Sequence, residues 1–386
     1  MRKLFFAIIL SLVIFLAPIA QAQNFSDAAA PTENTDHFKA QIIKIEQEAE
    51  KTREDGSKFK QQNLLFKIIS GARKGEEATY YGISEIEVGD ANIYKIKDKV
   101  YVDAFIDETG QKTFYIVDYI RSEAIYLLTA IFVIFVIIIG RSKGIKALIS
   151  LVASFVVIIK FILPQILAGH DPFLISLAGG LMIMFFIIYL TEGFNRKSHI
   201  AIFSVLISLI ITLILSLLFT DLARLTGLTQ EESIFLIGIG QKEINFRGLL
   251  LAGMIIGAIG VLDDIILGQI EAVDSIRQAN PKLPPKKIFQ LAYKVGNTHL
   301  GAITNTLFLT YAGAALPLLL LFSINYANGL SLDRALNAEV ISTEIIRTLV
   351  GAIGVMASMP IATFLASINM NFKLNWKKGL TTYEKK

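Results

Sequence analysis

Residues 248–269 read GLLLAGMIIGAIGVLDDIILGQ, an apolar run that carries two adjacent acids, Asp263 and Asp264. At ~1.5 Å rise per residue, about 20 helical residues cross the ~30 Å hydrocarbon core of a bilayer, so the run is long enough to span one. It continues beyond the acids as Ile265, Ile266 and Leu267. A charged side chain inside such a segment costs at least ~2.5 kcal/mol and is tolerated where it faces a packed interior or a wet cavity. Asp263 and Asp264 are therefore candidates for a buried or half-buried functional pair. The plainer alternative ends the helix at Leu262 and leaves both acids among the headgroups. Gly253 and Gly257 form a small-xxx-small step on the same run, with Gly260 following. Packing rather than hydrophobicity joins helices in lipid, so these glycines read first as a packing face and second as a ligand groove.

Outward from this stretch, the chain is 386 residues long, 53% hydrophobic and of positive mean hydropathy. Its apolar residues gather into separate span-length runs, which is the signature of an integral membrane protein. There is no cysteine, which excludes disulfides and thiol catalysis. His37, His170, His199 and His299 are scattered without metal-site spacing. No phosphate-binding loop or dinucleotide fingerprint is present, so no cofactor, metal or nucleic acid is expected.

Seven spans are expected, at 124–140, 146–167, 173–191, 200–219, 247–268, 299–323 and 345–368. The basic residues orient them. Clusters follow the first span (Arg141, Lys143, Lys146), the third (Arg196, Lys197), the fifth (Arg277, Lys282, Lys286, Lys287, Lys294) and the seventh, at 369–386. The alternate loops carry Asp171, Glu231, Glu232, Asp333 and Glu339 instead. One assignment fits every cluster: N-terminal domain outside, basic C-terminal tail in the cytoplasm.

The first 22 residues read as a secretory signal. Arg2 and Lys3 precede a short apolar core, and Ala20-Gln21-Ala22 offers a cleavage site, with an uncleaved anchor as the alternative. A linker over 23–36 leads to a small extracytoplasmic β-barrel or sandwich over 37–120. Its expected strands are 38–45, 63–69, 100–106 and 113–119, the last two flanking a hairpin signal at Asp107-Glu108-Thr109-Gly110. Thr229 and Glu232 suggest a short helix over 229–239. Over 270–295, Ile270, Val273 and Ile276 oppose Glu271, Asp274, Arg277 and Gln278. The pattern breaks at Asn280-Pro281 and at Pro284-Pro285, then resumes with Ile288, Leu291, Ala292 and Val295. This predicts an amphipathic elbow along the inner surface, a connector or a partner-binding element.

Other polar residues inside spans are candidate partners for the acids. Lys160 sits in the second span. Asn297, Thr304 and Asn305 share a face of the sixth with Gly301, either as interhelical glue or as part of a path. Arg347 opens the seventh as an i,i+3 pair with Glu344, ahead of a small face of Gly351, Gly354 and Ser358 and a candidate kink at Pro360.

Two resemblances attach to these residues. GAIGVLDDIILGQ and KVGNTHLGAITNTLFLTYAGAALPLLLLF resemble the YibE/F-like family of bacterial membrane proteins, as do the signal, the outer domain and the span pattern. That family implies the architecture and no settled activity. More distantly, the layout of residues 260–303 is similar to half of a resistance–nodulation–division exporter, in which an Asp-Asp pair on a glycine-rich helix carries protons. By that resemblance Asp263 and Asp264 are proton carriers. The two spans at 124–167, the single repeat and the missing porter domain depart from it.

Two carboxylates side by side cannot both ionise cheaply in low dielectric, which suits a proton-coupled transporter or energy-transducing membrane subunit of unassigned substrate. The alternative is an envelope assembly factor that binds a partner protein through the β domain, with lipid surrounding the spans; a homo-oligomer is the other partner expected. An enzyme is not expected. Asp-Asp with Mg²⁺ wants a second acidic cluster, for which only Glu271 and Asp274 are near, and an aspartyl protease needs acids on two helices.

Overall fold

The computed structural model describes residues 36–52, 58–71, 73–83, 93–106, 112–228, 244–327 and 331–369. The expected signal, almost all of the linker, the 229–239 helix and the basic tail lie outside them. The chain divides into two compact units between Ile138 and Ile139.

The first unit is built on β1 (Asp36–Thr52), β2 (Lys58–Ile68), β3 (Glu77–Tyr81), β4 (Lys99–Ile106) and β5 (Lys112–Tyr119). Alternation sets the core: Phe38, Ala40 and Ile42 point inward from β1, while His37 and Lys39 face solvent. Leu64, Phe66 and Ile68 of β2 and Val100, Val102 and Ala104 of β4 complete it. The hairpin signal holds, since β4 and β5 pair antiparallel on either side of it. Two expectations change. A fifth strand, β3, pairs with β2. And β1 runs on to Thr52, held there by polar pairs such as Lys58–Glu50 at 2.8 Å, which leave no apolar alternation to read. The sheet order is β3-β2-β1-β4-β5, and β3 approaches β5. This closure makes a partly open five-stranded barrel with the strand order of an OB-type Greek key, not the two sheets of a sandwich.

The helices are α1 (Ser122–Val157), a π-helical turn (Ile158–Ile162), α2 (Leu163–Leu167), α3 (Pro172–Glu192), α4 (Arg196–Leu222), α5 (Phe246–Ala279), α6 (Pro285–Ala314), α7 (Leu316–Ala327), α8 (Leu332–Leu336) and α9 (Glu339–Asn369). Asp171, Asn195 and Asn245 cap α3, α4 and α5 by accepting from backbone N–H groups three residues on. Among the described residues five helical stretches are long and apolar enough to cross a membrane, and six if α6 and α7, bent by 66°, form one span. The expected spans at 124–140 and 146–167 fall in one stretch, Ser122–Leu167, interrupted at Arg141 with φ 48° and ψ −127°. The expected span at 299–323 is broken where α6 gives way to α7 at Leu316-Pro317, because proline lacks an N–H and crowds the preceding turn.

Charge marks both ends of the bundle. Arg247 of α5 meets Asp221 of α4 at 2.9 Å, and Asn245 donates to Asp171 at 3.4 Å. At the other end, Lys197 of α4 meets Glu271 of α5 at 2.8 Å and Asp274 at 2.5 Å. Lys197 to Asp221 and Arg247 to Glu271 are each 24 residues of helix, about 36 Å at ~1.5 Å per residue, which matches a hydrocarbon core with a margin of headgroup. Between these layers α4, α5 and α9 form the centre. Ser204, Ser208, Thr212, Ser216 and Thr220 form a wholly buried hydroxyl stripe at i+4 spacing on α4. The first three donate to carbonyls one turn back at 2.8–3.0 Å, whereas the Ser216 and Thr220 hydroxyls have no partner among the described residues. Gly354 of α9 packs directly on Thr212.

Candidate functional site

Helix α5 carries Asp263 and Asp264 past its midpoint. Asp264 is seven residues from Glu271, about 10 Å, and 17 from Arg247, about 26 Å, which puts it inside the two charged layers. The helix runs on to Ala279, so it does not end at Leu262. Asp263 is half-buried and Asp264 exposed on the bundle surface. The two are consecutive, hence about 100° apart around the helix, and they meet different surroundings.

Asp264 opens into a cleft of about 260 Å³ between α5, α6 and α9. Gly268 and Gln269 line it from α5, Gly296 and His299 from α6, and Met359 from α9. Gly296 is needed here, because a Cβ on it would stand 2.5 Å from the Gln269 amide nitrogen. The buried Gln269 is held by Thr363 of α9, whose hydroxyl lies 2.9 Å from the Gln269 Oε1 and 2.7 Å from the Met359 carbonyl, sharing one proton between them. The cleft thus has a fixed amide, a carboxyl and an imidazole around one space. Its chemistry is proton exchange or hydrogen bonding to a small polar guest.

The sequence's candidate partners lie elsewhere. Lys160 is exposed on the π-helical turn, which packs on α3 through Ile162 and Gly179. Asn297 and Asn305 are exposed, and the Thr304 hydroxyl bonds its own helix at Leu300. Arg347 pairs with Glu344 at 3.0 Å, as its spacing predicts. Among the described residues none of these five reaches either aspartate. The residue that shares the cleft instead is His299, which metal-type spacing could not single out. Its signal was its place one turn beyond a close-packing glycine, Gly296.

The glycines divide in the same way. Gly257 receives the Tyr311 hydroxyl, at 2.8 Å from where a Cβ would stand, and Gly354 receives Thr212. Gly253, Gly260, Gly301 and Gly351 have open space where a side chain would project, so the expected packing face is only partly used within one chain. Gly180, not singled out in the sequence, is the contact of α3 with Ile259 of α5.

The expected elbow differs too. Asp274 and Arg277 are buried beside Ile270 and Val273 rather than opposite them. Lys197 and Gln278 hold the Asp274 carboxylate, the latter at 2.7 Å, and Arg277 donates to the Ser367 carbonyl of α9 at 2.8 Å. The polar cluster fastens α4, α5 and α9 together, and α5 continues straight to the break at Asn280.

A search of curated proteins and a search of solved structures each return no match, and the resistance–nodulation–division resemblance has no counterpart among the matches. A family model described as YibE/F-like protein matches residues 128–371, which covers every helix from the first turns of α1 through α9. With its apolar helices and this match, the chain is an integral membrane protein that belongs to the YibE/F-like family.

Proposed function

We propose that the chain is a proton-coupled transporter, or the proton-handling subunit of one, in the bacterial plasma membrane. The observation that supports this is the shared cleft of Asp264 and His299, about 10 Å inside the charged layer at Glu271. Acids and imidazoles inside a membrane are costly unless wet or paired, and they mark proton relays in pumps and transporters. In this reading a proton enters from the Lys197–Asp274 side, rests on Asp264 or His299, and passes to Asp263 when the helices shift. Seven crossings, with the chain turning at Arg141, put the barrel outside and the C-terminal tail in the cytoplasm, in keeping with the basic clusters. The test is proton flux into proteoliposomes carrying a pH-sensitive dye. Asp264→Asn and His299→Gln lose most of the flux and Asp263→Asn slows it. Wild-type rates in both aspartate variants overturn the proposal.

A second reading is favoured by the outer face of β4 and β5, where Phe105 and the half-exposed Tyr115 meet edge to face at 5.4 Å. Such a face suits a partner protein of the envelope. Deleting residues 23–120 separates the two: the transporter retains flux, whereas the assembly factor loses all function.

A further inference from the structure

We propose that the turn between Ile93 and Lys99 is a docking tip for anionic phospholipid headgroups, holding the barrel against the bilayer that the chain enters at Ser122. Ile93 and Ile96 are 52% and 55% exposed, and Lys95 and Lys97 flank Ile96. Exposed isoleucines on a barrel rim are poorly placed for water, whereas isoleucine between lysines suits the boundary of headgroup and acyl chain.

The tip is rigid. Lys95 N–H donates to the Asp98 carboxylate at 2.7 Å, and Asp98 N–H returns to the Lys95 carbonyl at 3.1 Å. Lys97, at φ +79°, donates to Ile42 of β1 at 2.8 Å, and Ile42 donates to Asp98 at 2.9 Å. The tip is also tied to the start of α1, which belongs to the same compact unit as far as Ile138. Ile120 N–H donates to the Lys99 carbonyl at 2.8 Å, the Tyr119 hydroxyl donates to the Ile93 carbonyl at 2.8 Å, and Lys99 pairs with Glu123. Lys97 is two residues from Lys99, about 7 Å of chain, and the apolar run begins just after Glu123. The headgroup layer is about 5–7 Å deep on each face, so the tip meets it.

The nearby acids are occupied: Glu123 by Lys99, Asp118 by Arg121 at 2.6 Å and Asp98 by the turn itself. Among the described residues Lys95 and Lys97 make no ion pair, which leaves two cations for phosphate. A partner protein would use the same isoleucines but would not answer to lipid charge.

The native chain has no cysteine, so a single label is specific. Full-length Ile96→Cys carries a polarity-sensitive fluorophore in nanodiscs of phosphatidylcholine with or without phosphatidylglycerol. Thr113→Cys, at the far end of β5, is the control. The expected result is a blue shift and quenching by lipid-borne quencher at position 96, absent at 113 and stronger with phosphatidylglycerol. Lys95→Gln and Lys97→Gln should each lower the ratio of bound to free tip about fivefold. A label at 96 that behaves as at 113, or that is indifferent to phosphatidylglycerol, overturns the proposal.

Discussion

Gly354→Ala should loosen the crossing of α4 and α9 through one pair of atoms. A Cβ at 354 would lie 2.0 Å from Thr212 Oγ1 and 3.1 Å from its Cβ, where ordinary contact begins at 3.4 Å. The gap must open by about 1.4 Å. Thr212 is completely buried, and its hydroxyl donates to the Ser208 carbonyl at 3.0 Å. Turning χ1 either way breaks that bond, and one of the two turns swings the methyl group into the same space. Overpacking costs ~1–3 kcal/mol and the lost hydrogen bond ~0.5–1.5 kcal/mol, so the substitution destabilises by about 2–4 kcal/mol. Thr212→Ala alone should cost about 1 kcal/mol, and the pair Gly354→Ala with Thr212→Ala should recover most of the loss. Unfolding in detergent micelles, read as a full double-mutant cycle, measures the coupling. Equal losses from Gly354→Ala with threonine or alanine at 212 would refute direct contact as the cause.

Asp274→Ala leaves Lys197 with Glu271 alone at the buried cluster, and should destabilise by about 3 kcal/mol in the same assay. An unchanged melting temperature would show the cluster to be incidental. Gly296→Ala should displace the Gln269 amide from Thr363, at about 1–3 kcal/mol, and fill part of the cleft; a structure of the variant with the 2.9 Å contact intact contradicts this. In the barrel, the hydrogen bond from Arg121 holds the Asp118 carboxyl below the ordinary carboxylate value. A folded value lowered in this way contributes stability above the ordinary range and loses it as pH falls through the lowered value. Carbon-detected NMR titration should find Asp118 titrating higher in Arg121→Gln, and an unchanged midpoint counts against the pair.

Much of the membrane architecture was legible because each span announces itself by length and composition. The acids at 263 and 264 stood out for the same reason, since lipid penalises charge so heavily. The Glu344–Arg347 pair followed from spacing alone, and the β4–β5 hairpin from alternation about Asp107-Glu108-Thr109-Gly110. The α4 hydroxyl stripe did not stand out, because serine and threonine barely disturb the hydropathy of an apolar run. Spacing sets Asp274 and Arg277 opposite the apolar face of an elbow, since burying them depends on Lys197 and the Ser367 carbonyl from other helices. His299 was equally invisible: only the approach of α6 at Gly296 brings it to Asp264. The polar half of β1 and β2 lacked alternation altogether, so its length rests on cross-strand charge pairs.

The proposed proton path requires Asp264 to stand in a water-filled cleft within the membrane. Gly268 is the place to measure it, one turn along the same cleft, with nothing within 4 Å of where a Cβ would stand. Thiosulfonates react with thiolate, which forms only in water. In the otherwise cysteine-free chain, Gly268→Cys should react with a membrane-impermeant thiosulfonate in proteoliposomes, while Ile210→Cys, exposed at the middle of α4, stays inert. Equal inertness at the two positions would place the Asp264 cleft in lipid and contradict the proton path.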